Sequence, residues 1–210
     1  MSDQSAGQKI TQQLRQAYDR TAGERSRSTM EPWKTVERRR FLDELVRAGS
    51  RRLLEVGAGH GRDSLFFSEQ GLTVTCADLS FNMAALCRAN DLNAVQSDMR
   101  FLPFAPESFD AVYAMNSLLH IPRTDIHAVM QQIHTVLNPG GRFYYGVYGG
   151  KDHEGIWEDD SYRPKRFFNY YQDEDLIALV SAYFEVVSFK PIELPDRGGL
   201  HFQSLILRKA

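Results

Sequence analysis

One stretch limits the fold more than any other: Leu53-Leu54-Glu55-Val56 runs straight into Gly57-Ala58-Gly59-His60-Gly61, and a helical pattern opens at Arg62-Asp63. A short apolar run, a glycine-rich turn and a helix start predict a strand, a tight reversal and a helix in that order. Gly57 and Gly59 permit the sharp turn and leave bare backbone against which a ligand can lie, while the first turn of the helix offers unpaired N–H groups. A glycine turn also serves plain packing in α/β proteins, so its surroundings decide. Downstream, short apolar runs alternate with helical stretches, the pattern of βαβ units in a parallel sheet with helices on its faces. Strands are expected near 53–56, 74–77, 94–96, 109–115, 142–147, 184–189 and 202–207, and helices near 62–70, 80–89, 124–137 and 173–182, with Asp173 as the N-cap of the last. The connector Pro191 to Leu200 carries two prolines and two glycines, so the final two strands are expected as an antiparallel hairpin at the sheet edge.

A chain of 210 residues, 42% hydrophobic and 25% charged, fits one folded domain and lies outside the composition of disordered proteins. The opening residues 1–34 are polar, with one helical candidate around 8–19 where Ile10, Leu14 and Tyr18 recur. They read as a helical cap on a single domain over 35–210, entered by a helix near 36–48 that Gly49 ends. Residues 1–52 hold 12 basic and 7 acidic side chains, read as a solvated face around Arg38, Arg39 and Arg40. The whole chain is nearly neutral, with net charge -2, and supplies no global field for a polyanion, so nucleic acid is not expected as a partner. Two cysteines without metal or redox spacing, no run approaching a membrane span and a polar start at Met1 to Gly7 point to a cytoplasmic protein with neither disulfides nor a membrane partner.

The spacing of the turn discriminates among ligands. The third glycine of a GxGxxG dinucleotide fingerprint would fall where Arg62 stands, so a nicotinamide oxidoreductase loses ground. Glu55, two residues before Gly57, would repel a pyrophosphate and attract a cation; a ligand carrying an ammonium and a sulfonium suits it better. Asp78 ends the second strand 21 residues after Gly57, near the offset at which an acid meets ribose hydroxyls. Asp98 follows the third strand, where a carboxylate can accept from an adenine amino group while the next N–H meets a ring nitrogen.

With those residues in place, the chain resembles the class I S-adenosylmethionine-dependent methyltransferases over roughly 50–210. Glu55-Val56-Gly57-Ala58-Gly59-His60-Gly61 looks like their first motif, Asp78 followed by Leu79 like their ribose acid, and Ser97-Asp98-Met99 like their adenine motif. Phe109-Asp110-Ala111-Val112 is similar to their fourth strand, and Leu137-Asn138-Pro139-Gly140-Gly141 to the turn into their fifth. The resemblance implies an α/β, Rossmann-like seven-stranded sheet of order 3-2-1-4-5-7-6 with the seventh strand antiparallel. It implies S-adenosylmethionine as cofactor, and a cofactor site taking in Glu55, Gly57, Ala58, Gly59 and Gly61, then Asp78, Leu79, Asp98 and Met99. Asn116 joins the site from the end of the fourth strand, and Tyr18, in Tyr18-Asp19, resembles a position that many small-molecule members fold over the cofactor.

Methyl transfer from a sulfonium is an in-line displacement that needs alignment and exclusion of water, with a base only where the acceptor must lose a proton. His120, just past the fourth strand, is the first candidate for a catalytic group facing the acceptor; its alternative is a loop histidine bonding backbone. His201 could approach the pocket edge from the last strand, and His60 shapes the turn. No histidine pair has zinc spacing, so no metal is expected. The D/N/S-P-P-aromatic turn of base- and amide-modifying relatives is replaced by Asn116-Ser117-Leu118-Leu119, which points to a small-molecule acceptor. Lys151 to Tyr171 mixes Trp157, Tyr162, Phe167 and Phe168 with many charges and reads either as a lid or as a loop anchored by its aromatics, with Arg163, Lys165 and Arg166 as candidate anchors for an acidic substrate. A catalytically silent cofactor sensor is the rival from another class, and a homodimer stays open.

Overall fold

The computed structural model describes residues 2–195 and 198–210. Two helices, α1 (Ser2–Arg25) and α2 (Pro32–Ala48), precede β1 (Arg52–Val56), α3 (Arg62–Glu69), β2 (Thr73–Asp78), α4 (Phe81–Ala89) and β3 (Asn93–Gln96). After β4 (Phe109–Met115), a single 3-10 turn over Leu118–His120 leads to α5 (Arg123–Val136) and β5 (Leu137–Gly149). The chain closes with β6 (His153–Ile156), β7 (Phe167–Tyr170), α6 (Asp173–Ser181), β8 (Glu185–Ile192) and β9 (His201–Arg208).

Seven strands form one sheet in the order β3-β2-β1-β4-β5-β9-β8. The first five pair in parallel, while β9 runs antiparallel to both β5 and β8. Counted within this sheet alone, the order is the expected 3-2-1-4-5-7-6 with the reversed seventh strand. The difference lies outside it: β6 and β7 form a separate antiparallel pair, joining Ile156 to Phe167 and His153 to Tyr170, within the segment expected as a lid or loop.

Alternation along the strands explains the layers. In β5, Tyr144 faces a cluster with Phe41, Leu45, Phe67 and Tyr113, whereas Phe143 and Tyr145 face Val129, Met130 and Ile133 of α5. A parallel sheet buried on both faces needs apolar side chains in both registers, and each fully buried Phe or Leu contributes about 1.5–3 kcal/mol. Tyr113 and Tyr144 stack at 4.8 Å between ring centroids, and Phe41 of α2 lies 5.4 Å from Tyr144. Within the expected solvated face of α2, Arg38 pairs with Asp63 and Arg40 with Glu37, and only Arg39 is exposed.

Helix α1 is longer than its expected core of 8–19 because tertiary contacts extend it. Asp19 accepts from the Ser80 hydroxyl at 2.6 Å and from the Asn82 N–H at 3.1 Å, so α1 fastens the N-terminus of α4. Arg62 donates to the Ser28 carbonyl and holds the α1–α2 connector over the glycine turn. At α6 the cap differs from expectation: Gln172 is the N-cap, and Asp173 instead accepts from His201 and Gln203, each at 2.7 Å.

Candidate functional site

The site lies at the carboxyl ends of β1, β2 and β4, the edge at which open α/β sheets bind ligands. Val56 feeds the turn, which is tied to β2 by the Gly57 N–H donating to the Ala77 carbonyl at 2.8 Å. Gly57 has φ +76°, and a Cβ there would fall 2.3 Å from that of Ser117. The Ser117 hydroxyl donates to the Val56 carbonyl at 2.7 Å, so β1 and β4 close on each other at a glycine. Gly59, at φ +56°, has open space where its Cβ would be, which leaves its backbone bare on the cavity side. Gly61 plays a packing part: a Cβ there would meet Leu92 at 2.7 Å, and Gly61 does not line the cavity.

Two chambers meet at this edge. The inner one, about 290 Å³, is walled by Gly57, Ala58, Gly59, Asp78, Leu79 and Met99. The outer one, about 700 Å³, opens among Tyr148, Trp157, Phe168 and Tyr170. Both volumes fall near the usual range for small-molecule sites. Tyr18, Arg25, Lys34, Asn116 and His120 line both chambers and form the passage between them.

Asp78 points into the turn, with Oδ2 accepting from the Gly59 N–H at 2.7 Å and Oδ1 from the Ser80 N–H at 2.8 Å. Burial pushes its carboxyl up to about 6 although both N–H groups pull the other way. Each oxygen keeps lone pairs for a further donor. Glu55 is 4% exposed and accepts from the Ser64 hydroxyl. Burial first, and the Asp63 charge after it, push Glu55 well above the usual carboxylate range, and no ion pair to it forms among the described residues. An acid so placed gains from a cationic ligand group. The Oδ1 of Asn116, a residue with φ +56°, is buried without a hydrogen-bond partner at the passage. An orphaned acceptor, an unpaired acid, a two-oxygen acid and a bare glycine backbone fit the ammonium and diol of an adenosyl donor.

Asp98 is placed differently from the other two acids. Its oxygens take Nε of Arg100 at 3.1 Å and Nη2 at 2.6 Å, and Arg100 continues to Asp125 and Thr11, each at 2.7 Å. Asp98 is therefore built into an ion network joining α1 to α5 and does not line the inner chamber, whereas Met99 does.

His120 is 4% exposed, and both ring nitrogens are engaged. Nδ1 lies 2.7 Å from the Phe167 carbonyl, which can only accept, so Nδ1 carries the proton. Nε2 is then the acceptor for the Tyr18 hydroxyl at 2.7 Å. Burial, with help from Arg166 and Arg25, pushes the imidazole down to about 3, against the pull of the Phe167 carbonyl. Arg166 donates to the same Tyr18 oxygen at 3.3 Å, grips Asp160 with two nitrogens at 2.9 Å and stacks 3.6 Å from the Tyr162 ring centroid. Of the three candidate anchors in this segment, only Arg166 lines the outer chamber; Lys165 pairs with Glu158, and Arg163 donates to backbone carbonyls. His60 lines the inner chamber, lowered to about 4 by burial and Arg62, and His201 is held by Asp173.

Arg25 and Lys34 are site residues that the sequence reading passed over. Both lie within the basic-rich first 52 residues, and that charge excess was the available signal. Among the described residues no cluster of three His, Cys, Asp or Glu is placed to hold a metal ion, and no helix is long and apolar enough to cross a membrane.

A sheet of this order, with a reversed edge strand and a glycine turn facing an acid at the next strand end, defines a Rossmann-like methyltransferase fold. Residues 54–145 match the family model described as a methyltransferase domain. A fatty-acid O-methyltransferase of Mycolicibacterium smegmatis is 36% identical over 101 residues, 45% of this chain and 36% of that protein. A ubiquinone biosynthesis O-methyltransferase of Xylella fastidiosa is 32% identical over 111 residues, 50% of this chain and 44% of that protein. The chain thus spans less than half the length of these curated relatives. The 1,6-didemethyltoxoflavin-N1-methyltransferase of Burkholderia thailandensis, solved with 1,6-didemethyltoxoflavin and S-adenosylhomocysteine, has TM-score 0.76 at 23% identity, covering 97% of this chain and 90% of that one. That likeness carries the fold across the described chain.

Proposed function

We propose that this protein transfers the methyl group of S-adenosylmethionine to an oxygen, nitrogen or sulfur atom of a small molecule. The observation that carries the reading is the passage: a chamber fitted to an adenosyl donor opens, through Tyr18, Asn116 and His120, into a larger aromatic chamber able to hold an acceptor. The small-molecule methyltransferases among the relatives and structural neighbours support it.

S-adenosylmethionine, when bound, supplies a methyl carbon on a positively charged sulfur. The chain's part is to hold and align. Asp78 would accept the ribose hydroxyls, Glu55 and the Asn116 oxygen would draw the ammonium, and Leu79 and Met99 would flank the base. Asp98 is held by Arg100, and Met99 beside it lines the chamber where the base would lie. Tyr18 and His120 would close the passage and exclude water from the transfer. Residues 1–34 act in this reading as a cap and 151–171 as a lid, since α1 supplies Tyr18 and β7 supplies the carbonyl that orients His120. The setting is cytoplasmic, without nucleic acid or membrane as partner, and mass in solution distinguishes a monomer from a homodimer.

Incubating the protein with methyl-labelled S-adenosylmethionine and a metabolite extract tests the proposal. Label in a product supports it; cofactor binding without turnover identifies a sensor instead. Thermal stabilisation by NAD with none from S-adenosylmethionine would return the nicotinamide oxidoreductase.

A further inference from the structure

The outer chamber has a charge and a shape that the reading above leaves unused. Among the described residues, Arg25, Lys34, Lys151 and Arg166 line it, against one carboxylate residue, Glu31. Two of the four cations are matched: Arg166 by Asp160 and Lys34 by Glu31. Arg25 is not. Its Nη1 donates to the Tyr162 hydroxyl at 2.9 Å and its guanidinium lies 5.3 Å from the Tyr18 ring centroid, with no ion pair to a carboxylate among the described residues. Lys151 lies 6.0 Å from the Tyr170 centroid and likewise has no ion pair among the described residues. A half-buried guanidinium that donates here to a neutral hydroxyl keeps further N–H groups for an incoming anion. Arg25 also stands in the passage, beside the place where the acceptor atom must meet the methyl group.

The walls are ring faces and edges. Trp157 meets Phe168 edge-on at 5.6 Å between centroids and is 47% exposed, an open indole at the chamber. Such walls take a flat ring and leave a flexible aliphatic chain poorly matched.

Among the described residues, the one imidazole that lines the passage between the chambers has both nitrogens engaged. His120 has Nδ1 on the Phe167 carbonyl and Nε2 on the Tyr18 hydroxyl, and that same bond keeps the Tyr18 proton in place. An acceptor that needs deprotonation at the moment of transfer would have to pass its proton through the engaged Tyr18–His120 pair, whereas an ionised acceptor needs no such step.

We infer that the acceptor is a planar aromatic or heteroaromatic acid that enters already ionised, its anionic atom beside Arg25, with Lys151 adding to the field that draws it in, and its ring against Trp157 and Phe168. The inference rests on the methyl-transfer reading of the preceding subsection. For such an acceptor the step balances without a proton: a lone pair of the anion forms the bond to the methyl carbon, the carbon–sulfur bond breaks, and its electron pair stays on sulfur.

Calorimetric titration of the protein saturated with S-adenosylhomocysteine tests this, with 2-naphthoate as an anionic probe and 2-naphthamide as a neutral probe of the same outline. The acid is expected to bind at least about ten-fold more tightly than the amide. Arg25→Gln and, as a surface change that leaves the fold intact, Lys151→Met should each shrink that preference several-fold. An amide that binds as well as the acid, or a chamber that takes neither, overturns the inference. The S-adenosylhomocysteine titration separates the two levels: no binding there sinks the methyl-transfer reading and this inference with it, whereas normal binding without a charge preference sinks the anionic acceptor alone.

Discussion

The Tyr18 hydroxyl lies 2.7 Å from His120 Nε2, a bond between residues 102 positions apart that joins α1 to the turn after β4. Since Phe167 of β7 accepts from the other ring nitrogen, one imidazole fastens the amino-terminal helix, the central sheet and the separate strand pair. Tyr18→Phe removes the donor and leaves a buried lone pair unmatched, a cost of about 1–3 kcal/mol. Denaturant unfolding should show that loss, and S-adenosylhomocysteine affinity should drop because α1 closes the inner chamber less firmly. Unchanged stability and affinity together would show that the bond does not hold the cap.

The same imidazole sets an acid sensitivity. Its value of about 3 lies below the ordinary 6.5, so the unfolded chain takes up the proton first as pH falls. Stability from this group is therefore full above pH about 6.5 and is lost downward toward about 3, with a slope of at most about 1.4 kcal/mol per pH unit. Asp78, raised to about 6, has the opposite sign: the folded state takes its proton first, which adds stability as pH falls from about 6 toward 4. His120→Gln should therefore be less acid-labile than the parent between pH 6 and 4, whatever its stability at neutral pH. A parallel pair of stability-versus-pH curves would contradict this account of the imidazole.

Ligand binding should report on Asp78 separately. Hydroxyls donating to the carboxylate favour its charged form, so binding pulls the value of about 6 downward. S-adenosylhomocysteine affinity is expected to fall below pH 6, with proton release on binding near that pH, measurable by calorimetry in buffers of different ionisation enthalpy. Asp78→Asn should cost about 1–3 kcal/mol of affinity, roughly five- to 150-fold, and should abolish the proton release. Retained affinity would mean that the ribose lies elsewhere.

Much of this was legible in the chain because it is local. The strands with apolar runs, the turn at Gly57 to Gly61 and the reversed edge after Pro191 each follow from adjacent residues, whereas the sheet order was implied by the resemblance to the methyltransferase family. The pair β6–β7 was not legible: His153-Glu154-Gly155-Ile156 shows no apolar alternation, and its partner strand lies beyond an intervening charged stretch. Asp98 shows the limit for the site. Its place at a strand end was readable, but whether its oxygens face the cavity or Arg100 depends on Asp125 and Thr11, which only the folded chain brings up. Arg25 was hidden for the same reason, since nothing in its neighbours distinguishes a passage residue from a solvated one.

Two glycines of the turn separate folding from binding. At Gly57 an added Cβ would lie 2.3 Å from the Cβ of Ser117, an atom fixed to backbone that cannot swing away, so β1 and β4 would have to part. Gly57→Ala should destabilise the protein by several kcal/mol, since overpacking of about 1–3 kcal/mol adds to the strain of a positive φ. At Gly59 the Cβ position is open and only the φ of +56° opposes a side chain, so Gly59→Ala should cost about 1–2 kcal/mol of stability and still fold. Its methyl group would project where the ligand is expected to lie against backbone, so S-adenosylhomocysteine affinity should fall by much more than stability does. Urea unfolding and calorimetry on both variants make the comparison. Full ligand affinity in folded Gly59→Ala would show that the adenosyl group does not approach this backbone, and the inner chamber would lose its assignment.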